Sequence, residues 1–150
     1  MLTKQLPSNI EAERTLLASV FIDNNVIKLV ENIVDPSSFY AHGHGLIFAS
    51  MISMYDRGIG IDHITLAEEM KGNLEKIGGI SKLTDLMSSS ATTANAEHWA
   101  NVILEKKQRR EYINTANQVA TMAYDENVDV AVVGTTAQTM CDRIEVRSKT

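Results

Sequence analysis

The sequence contains one cysteine, Cys141, so no disulfide can close within the chain. Only two prolines, Pro7 and Pro36, interrupt it, and its eight glycines fall mostly in short clusters. With so few breakers and many Ala, Leu, Glu, Lys and Met residues, helix is favoured throughout. No apolar run approaches the roughly 18 residues a membrane helix needs. The start, Met1-Leu2-Thr3-Lys4, lacks the apolar core of a secretion signal. A soluble protein of the cytoplasm is expected. There is no excess of positive charge either: the formal net charge is −5. A domain that wraps nucleic acid unaided must neutralise phosphates and is usually basic, so only weak, salt-labile DNA binding is expected of this chain alone.

Phosphate chemistry is also missing. No G-x-x-x-x-G-K-[ST] loop occurs. The nearest glycine-rich stretch, Gly58-Ile59-Gly60, follows a predicted helix and lacks a third glycine. His42 and His44 could be joined by Asp62 and His63 as metal ligands, but a site needs three or four ligands at supporting spacing. The simpler reading is that His42 solvates a helix start and His44 packs partly into the fold. Glu11 and Glu13 lie in a first helical turn, where carboxylates answer the helix dipole. Cys141 reads as a small apolar residue with no histidine near it in sequence. Trp99, at helical spacing from Val102 and Ile103, reads as core. No catalytic, cofactor or metal residue is assigned.

What is present is helical periodicity over 150 residues, 44% of them apolar, enough for one modest core or a head with an appendage. Ser8-Asn9-Ile10-Glu11 reads as a capping box opening a helix with Leu16, Leu17, Val20 and Phe21 inward. Asp23 is placed to cap a second helix with the face Val26, Leu29, Val30, Ile33 and Val34. Asp35-Pro36 restarts the chain. A long helix is predicted over 42–56, with Ile47, Met51, Met54 and Tyr55 inward and Gly58 ending it. Thr65-Leu66-Ala67-Glu68 reads as a capping box for a short helix ending before Gly72. Gly78-Gly79 breaks the chain before a helix carrying Ile80, Leu83 and Leu86, and 88–93 is a polar loop.

From Asn95 to about Tyr124 there is neither Gly nor Pro, predicting a helix roughly 45 Å long. Trp99 and Val102 begin an apolar seam, Lys106 and Arg109 interrupt it, and Ile113, Ala116, Ala120 and Ala123 resume it. The basic run Lys106-Lys107-Gln108-Arg109-Arg110, flanked by Glu105 and Glu111, reads as a solvated stretch. After a turn at 125–129, a last helix carries Val130, Val133, Ala137, Met140 and Ile144. The expected fold is all-α: a compact multi-helix head over residues 1–110 and an antiparallel helical hairpin over 111–147. Tyr112, Val119 and Met122 lie off the first arm's seam and Val132 off the second's. Two helices cannot bury both a seam and an outer face, so pairing of hairpins across a dimer is expected, through Ala116, Ala120, Ala123, Ala137 and Met140.

The order of several segments resembles the N-terminal domain of DnaB-type replicative DNA helicases. These are Pro7-Ser8-Asn9-Ile10-Glu11-Ala12-Glu13; Phe39-Tyr40 with His44, Ile47, Phe48 and Met51; Arg57-Gly58, Ile61-Asp62 and 65–68; Gly78-Gly79-Ile80 with Leu83 and Leu86; and Ala94-Asn95-Ala96, Trp99-Ala100, Val102 and Glu105-Lys106. The resemblance covers about residues 7–125. It implies a helical head and hairpin preceding a RecA-like ATPase, in one tier of a hexamer built as a trimer of dimers. It implies primase as partner and, in some systems, a helicase loader. ATP and Mg would serve the parent protein and not this domain. By the same resemblance the primase contacts fall on Lys82, Ile113 and Val119. Two features depart from the family: 88–93 lacks its common proline, and Lys82 replaces an aromatic residue. Because no ATPase precedes Thr150, the chain reads as an excised or truncated domain. The alternative is a stand-alone helical adaptor that regulates a helicase or its loader; a hydrolase with an unrecognised site is a remote third.

Overall fold

The computed structural model describes residues 4–89 and 92–148, and among these only helices, turns and loops occur. The signal-region reading at 1–3 and the middle of the expected loop at 88–93 fall outside them. The order is α1 (Ile10–Ile22), α2 (Val26–Val30), a 3₁₀ turn (Pro36–Ser38), α3 (His42–Asp56), α4 (His63–Glu69), a second 3₁₀ turn (Leu74–Ile77), α5 (Ile80–Met87), α6 (Ala96–Tyr124) and α7 (Val130–Ser148). Two compact units result. One is Ser8–Leu104. The other is Met1–Pro7 with Glu105–Thr150.

The head core forms where α1 packs against α2, α3 and α5, and α3 against α4. Leu16, Leu17, Val20, Ile27, Ile47, Phe48, Met51, Met54, Leu66, Leu83, Leu86 and Ile103 are all but inaccessible to water. Phe39 packs its ring 5.0 Å from that of Phe48. Trp99 lies partly buried against this core, as its spacing predicts.

Local signals place the starts of these helices, with some shifts. Asn9, not Ser8, caps α1, its side chain accepting the Ala12 N–H at 2.9 Å, while Glu11 pairs with Arg14 instead of reaching back. The second helix is shorter than its apolar pattern suggests, running only from Val26 to Val30, and its buried face uses Ile27 in place of Leu29, which is half exposed. Asp23 still accepts a backbone N–H, that of Asn25, but at the turn before α2. Pro36 does begin a helical turn, with Asp35 and Ser38 exchanging cap bonds. α3 has the predicted bounds, and Gly58 follows it at φ 72, a left-handed conformation open to glycine. Ile80, expected inward, is mostly exposed, whereas Leu83 and Leu86 are buried.

The α4 box is built one residue set earlier than the spacing suggests. Asp62 accepts the N–H groups of Ile64 and Thr65 at 2.8 Å each, and the Thr65 hydroxyl accepts the Asp62 N–H at 3.0 Å. The Thr65 N–H is the main reason the Asp62 carboxyl sits below its usual pKa, and burial works against it. A depressed folded-state pKa means the cap stabilises the head above the carboxylate's unfolded pKa and is lost as pH falls through the folded value. Asp62→Ala is expected to cost about 1 kcal/mol at neutral pH. Urea unfolding checks it, and the gap between mutant and wild type should shrink in acid.

One side chain links distant parts of the head by a full set of bonds. Asn24 donates through Nδ2 to the Val20 O at 2.8 Å and the Ile61 O at 3.1 Å, and its Oδ1 accepts the Ile61 N–H at 2.9 Å.

Candidate functional site

Several titratable residues of the head are held in hydrogen bonds within it. Glu13 lies in the first turn of α1 but is buried, and its Oε1 meets the Nδ1 of buried His44 at 2.9 Å. This pair is what the dipole reading of Glu13 missed. The signal was available: Glu13 lies on the Leu16, Leu17 and Val20 stripe, where a carboxylate needs a partner. His44 is fully buried, beyond the partial packing expected. Asp62 is occupied as a cap, and His63 Nδ1 faces the Met87 sulfur at 2.8 Å. Among the described residues, no three His, Cys, Asp or Glu side chains cluster to hold a metal. None of the described helices is long and apolar enough to cross a membrane.

The hairpin unit holds a different kind of surface. Its basic run is less solvated than expected. Lys107 is buried with Glu111 at 4.0 Å, Arg109 binds Glu105 at 2.9 Å, and Arg110 donates to the Pro7 O at 2.8 Å. Further along, α6 turns Glu111, Thr115, Gln118 and Met122 toward α7. Both arms line two shallow grooves. One, of about 360 Å³, is bordered by Gln118, Met122, Thr136 and Met140. The other, of about 170 Å³, is bordered by Glu111, Thr115, Met140 and Ile144. Thr115 and Ile144 are buried, and Val133, Thr136, Ala137 and Cys141 are half-buried.

This reverses the expected seam on the first arm. Val119 and Met122, expected on the outside, are half-buried; Ile113, Ala116, Ala120 and Ala123, expected in the seam, are exposed. Three of the four exposed residues are alanines, which gain little by burial, whereas Met122 and Val119 remove more apolar area from water; Ile113 is left out because the stripe that meets α7 is set by the side chains of the second arm. Their 3-and-4 spacing puts the four exposed residues on one face, about 150° around the helix from the Thr115–Met122 stripe. Tyr112 flanks that face at 41% exposure, its hydroxyl pKa pushed up by burial and then by the Glu145 carboxylate of α7. On the second arm the spacing was sound except at Val130, which is 82% exposed. Among the suggested interface residues, Ala116, Ala120 and Ala123 therefore face outward. Met140 lines both grooves between the arms, and Ala137 shares its half-buried side.

Lys82, the suggested contact on the head, is half-buried on α5. Burial and then the neighbouring Arg14 guanidinium lower its pKa. Of the two suggested contacts on α6, Ile113 is exposed and Val119 is half-buried.

Comparison with known proteins fits this arrangement. The family model described as the DnaB-like helicase N terminal domain matches residues 5–105. The replicative DNA helicase DnaC of Bacillus subtilis is 36% identical over 126 residues, which is 83% of this chain and 28% of that protein. The replicative DNA helicase DnaB of Geobacillus stearothermophilus gives 36% over 128 residues, with the same coverage. The chain thus spans less than a third of the curated relatives it matches. The crystal structure of the N-terminal domain of DnaB helicase from Mycobacterium tuberculosis superposes with a TM-score of 0.86 at 30% identity, covering 93% of this chain and 99% of that one. A DnaB-like replicative helicase, described with its interactions with primase, shares the fold with a TM-score of 0.75 at 24% identity, over 89% of this chain and 31% of its own. With both halves of the expected architecture present and a family match over two thirds of its length, the chain belongs to the DnaB-like helicase N-terminal domain family.

Proposed function

We propose that these residues form the oligomerisation and partner-docking domain of a hexameric replicative DNA helicase. Dimers form through the hairpins, three dimers make one tier of the ring, and the tier receives primase and, in some systems, a helicase loader. ATP and Mg act in the remainder of the parent protein, in the cytoplasm. The observation that carries the reading is the outward face of α6. Ile113, Ala116, Ala120 and Ala123 form an apolar strip that its own hairpin does not cover. Alanines on such a strip let a second helix approach closely, and a two-helix unit has no other means of burying them. The strip would take a second copy of the same strip across a two-fold axis.

Primase docking is proposed on Lys82, Ile113 and Val119; Lys82 and Val119 are half-buried and Ile113 is exposed. Lys82 separates docking from self-association, since it lies on the head. Lys82→Glu is expected to weaken binding of the cognate primase's helicase-binding domain at least about tenfold, with oligomer mass unchanged. Calorimetric titration and light scattering on the same sample measure both. Wild-type affinity in the mutant removes Lys82 from the docking surface. Ile113→Asp, on the outward strip, is expected to reduce both mass and affinity.

A further inference from the structure

The first turn of α3 has little local support. Its N-cap is Ala41, no side chain of its own caps it, and no acidic residue lies in its first turn. Gly43 and Gly45 both fall there. Packing demands them: a Cβ on Gly45 would lie 2.7 Å from the Pro36 O, and one on Gly43 would lie 3.2 Å from the Ile77 Cα. Crowding thus forces poor helix formers into the turn that most needs support.

The support comes from another helix. Glu13 of α1 is 1% exposed. Its Oε2 accepts the Tyr40 N–H at 2.8 Å, and its Oε1 accepts the Ala41 N–H at 3.2 Å and faces His44 Nδ1 at 2.9 Å. One carboxylate therefore holds the two residues before α3 and a residue of its first turn. It is the tertiary substitute for a missing cap, and it places negative charge at a helix N-terminus.

We infer that Glu13 and His44 form an acid-sensitive latch, in which protonation of Glu13 releases the loop 39–41 and the first turn of α3 from α1 while the rest of the head stays folded. An ionised carboxylate accepts the Tyr40 and Ala41 N–H groups and requires the proton of His44 to sit on Nδ1. A protonated one carries its own O–H donor into a site furnished with donors, and at least one of Tyr40, Ala41 and His44 loses its acceptor. The charged surroundings are few. His44 faces the carboxylate from α3. Lys82 on α5 feels its charge, together with those of Glu11 and Arg14. The buried residues of α2, which also packs on α1, are Val26, Ile27 and Val30, all apolar. The same loop borders an apolar cavity of about 310 Å³ lined by Pro36, Phe39, His42, Gly45, Leu46 and Ala49, among others. Opening the latch changes the shape of that cavity.

Amide hydrogen exchange on the 150-residue chain tests this, read as protection factors from about pH 7 down to about pH 4. Tyr40 and Ala41 are expected to lose at least about tenfold more protection than Leu17 and Met51, which sit within α1 and α3. Glu13→Gln should show that loss already at neutral pH, with no further dependence on acid. Glu11→Gln, on the exposed side of α1, should match the wild type. Parallel loss at all four amides, or a Glu13→Gln profile like that of the wild type, overturns the latch. Should Glu13→Gln fail to fold, His44→Gln decides. It keeps a donor but cannot bind a proton, so retention of the selective loss supports Glu13 as the trigger. Its disappearance puts the trigger on the imidazole and overturns the assignment.

Discussion

Ala120→Glu is expected to convert a self-associating chain into a monomer. Ala120 lies at the middle of the outward strip of α6, between Ala116 and Ala123, on the side turned away from α7. In the separate chain a glutamate there would point into water and leave the hairpin intact. In a close two-fold contact two such carboxylates would meet without partners, each stripped of its hydration. An uncompensated buried charge costs about 3–5 kcal/mol, so a dissociation constant raised at least about a hundredfold follows. Sedimentation or light scattering at micromolar concentration measures it, with circular dichroism to verify helix content. Lys71→Glu, an exposed head substitution, serves as the control. A wild type that is monomeric at every concentration, or an Ala120→Glu chain with wild-type mass, would end the dimer proposal.

Phe48→Ala should have the largest effect on the head itself. Phe48 has no exposed surface, sits on α3 among Ile47 and Met51, and stacks obliquely on Phe39. Its removal forfeits the transfer energy of the ring and leaves a void that close-packed neighbours refill only in part. The expected loss is about 3–5 kcal/mol. Since a whole domain is stabilised by about 5–15 kcal/mol, the variant should approach the unfolding threshold. Urea denaturation followed by far-ultraviolet circular dichroism reads the shift. Ile64→Ala, at a position 68% exposed, should leave the midpoint nearly unchanged. Comparable losses at the two sites would contradict the core described here.

Much of the head was legible because its signals are local and redundant. α3 combines apolar residues at 47, 51 and 54 with a glycine stop, and its bounds match the expectation. Caps were harder, since Ser8, Asn9, Asp62 and Thr65 are all competent acceptors and the choice rests on backbone angles. The Glu13–His44 pair could not be matched from sequence because 31 residues separate its members. Long range was also the difficulty on α6. Apolar residues occur on several sides of that helix, and the side that packs on α7 includes Glu111, Thr115 and Gln118. A strip of alanines at heptad spacing looks like a seam, yet the polar-containing stripe on the far side of the helix carries the larger Met122 and the buried Thr115. Which strip closes the hairpin depends on the side chains opposite, and those are fixed only once the second arm folds back.

The three bonds of Asn24 set a limit of another kind. A position inside a core is ordinarily restricted by volume, and several residues of similar bulk can share it. Position 24 is restricted by valence. Aspartate has the same outline but would aim oxygen at the carbonyls of Val20 and Ile61, and leucine has the outline but neither donor nor acceptor. Glutamine has the right groups one methylene too far out. Asparagine meets both carbonyls and the Ile61 N–H at that reach, so what a substitution there forfeits is hydrogen bonds before it is volume.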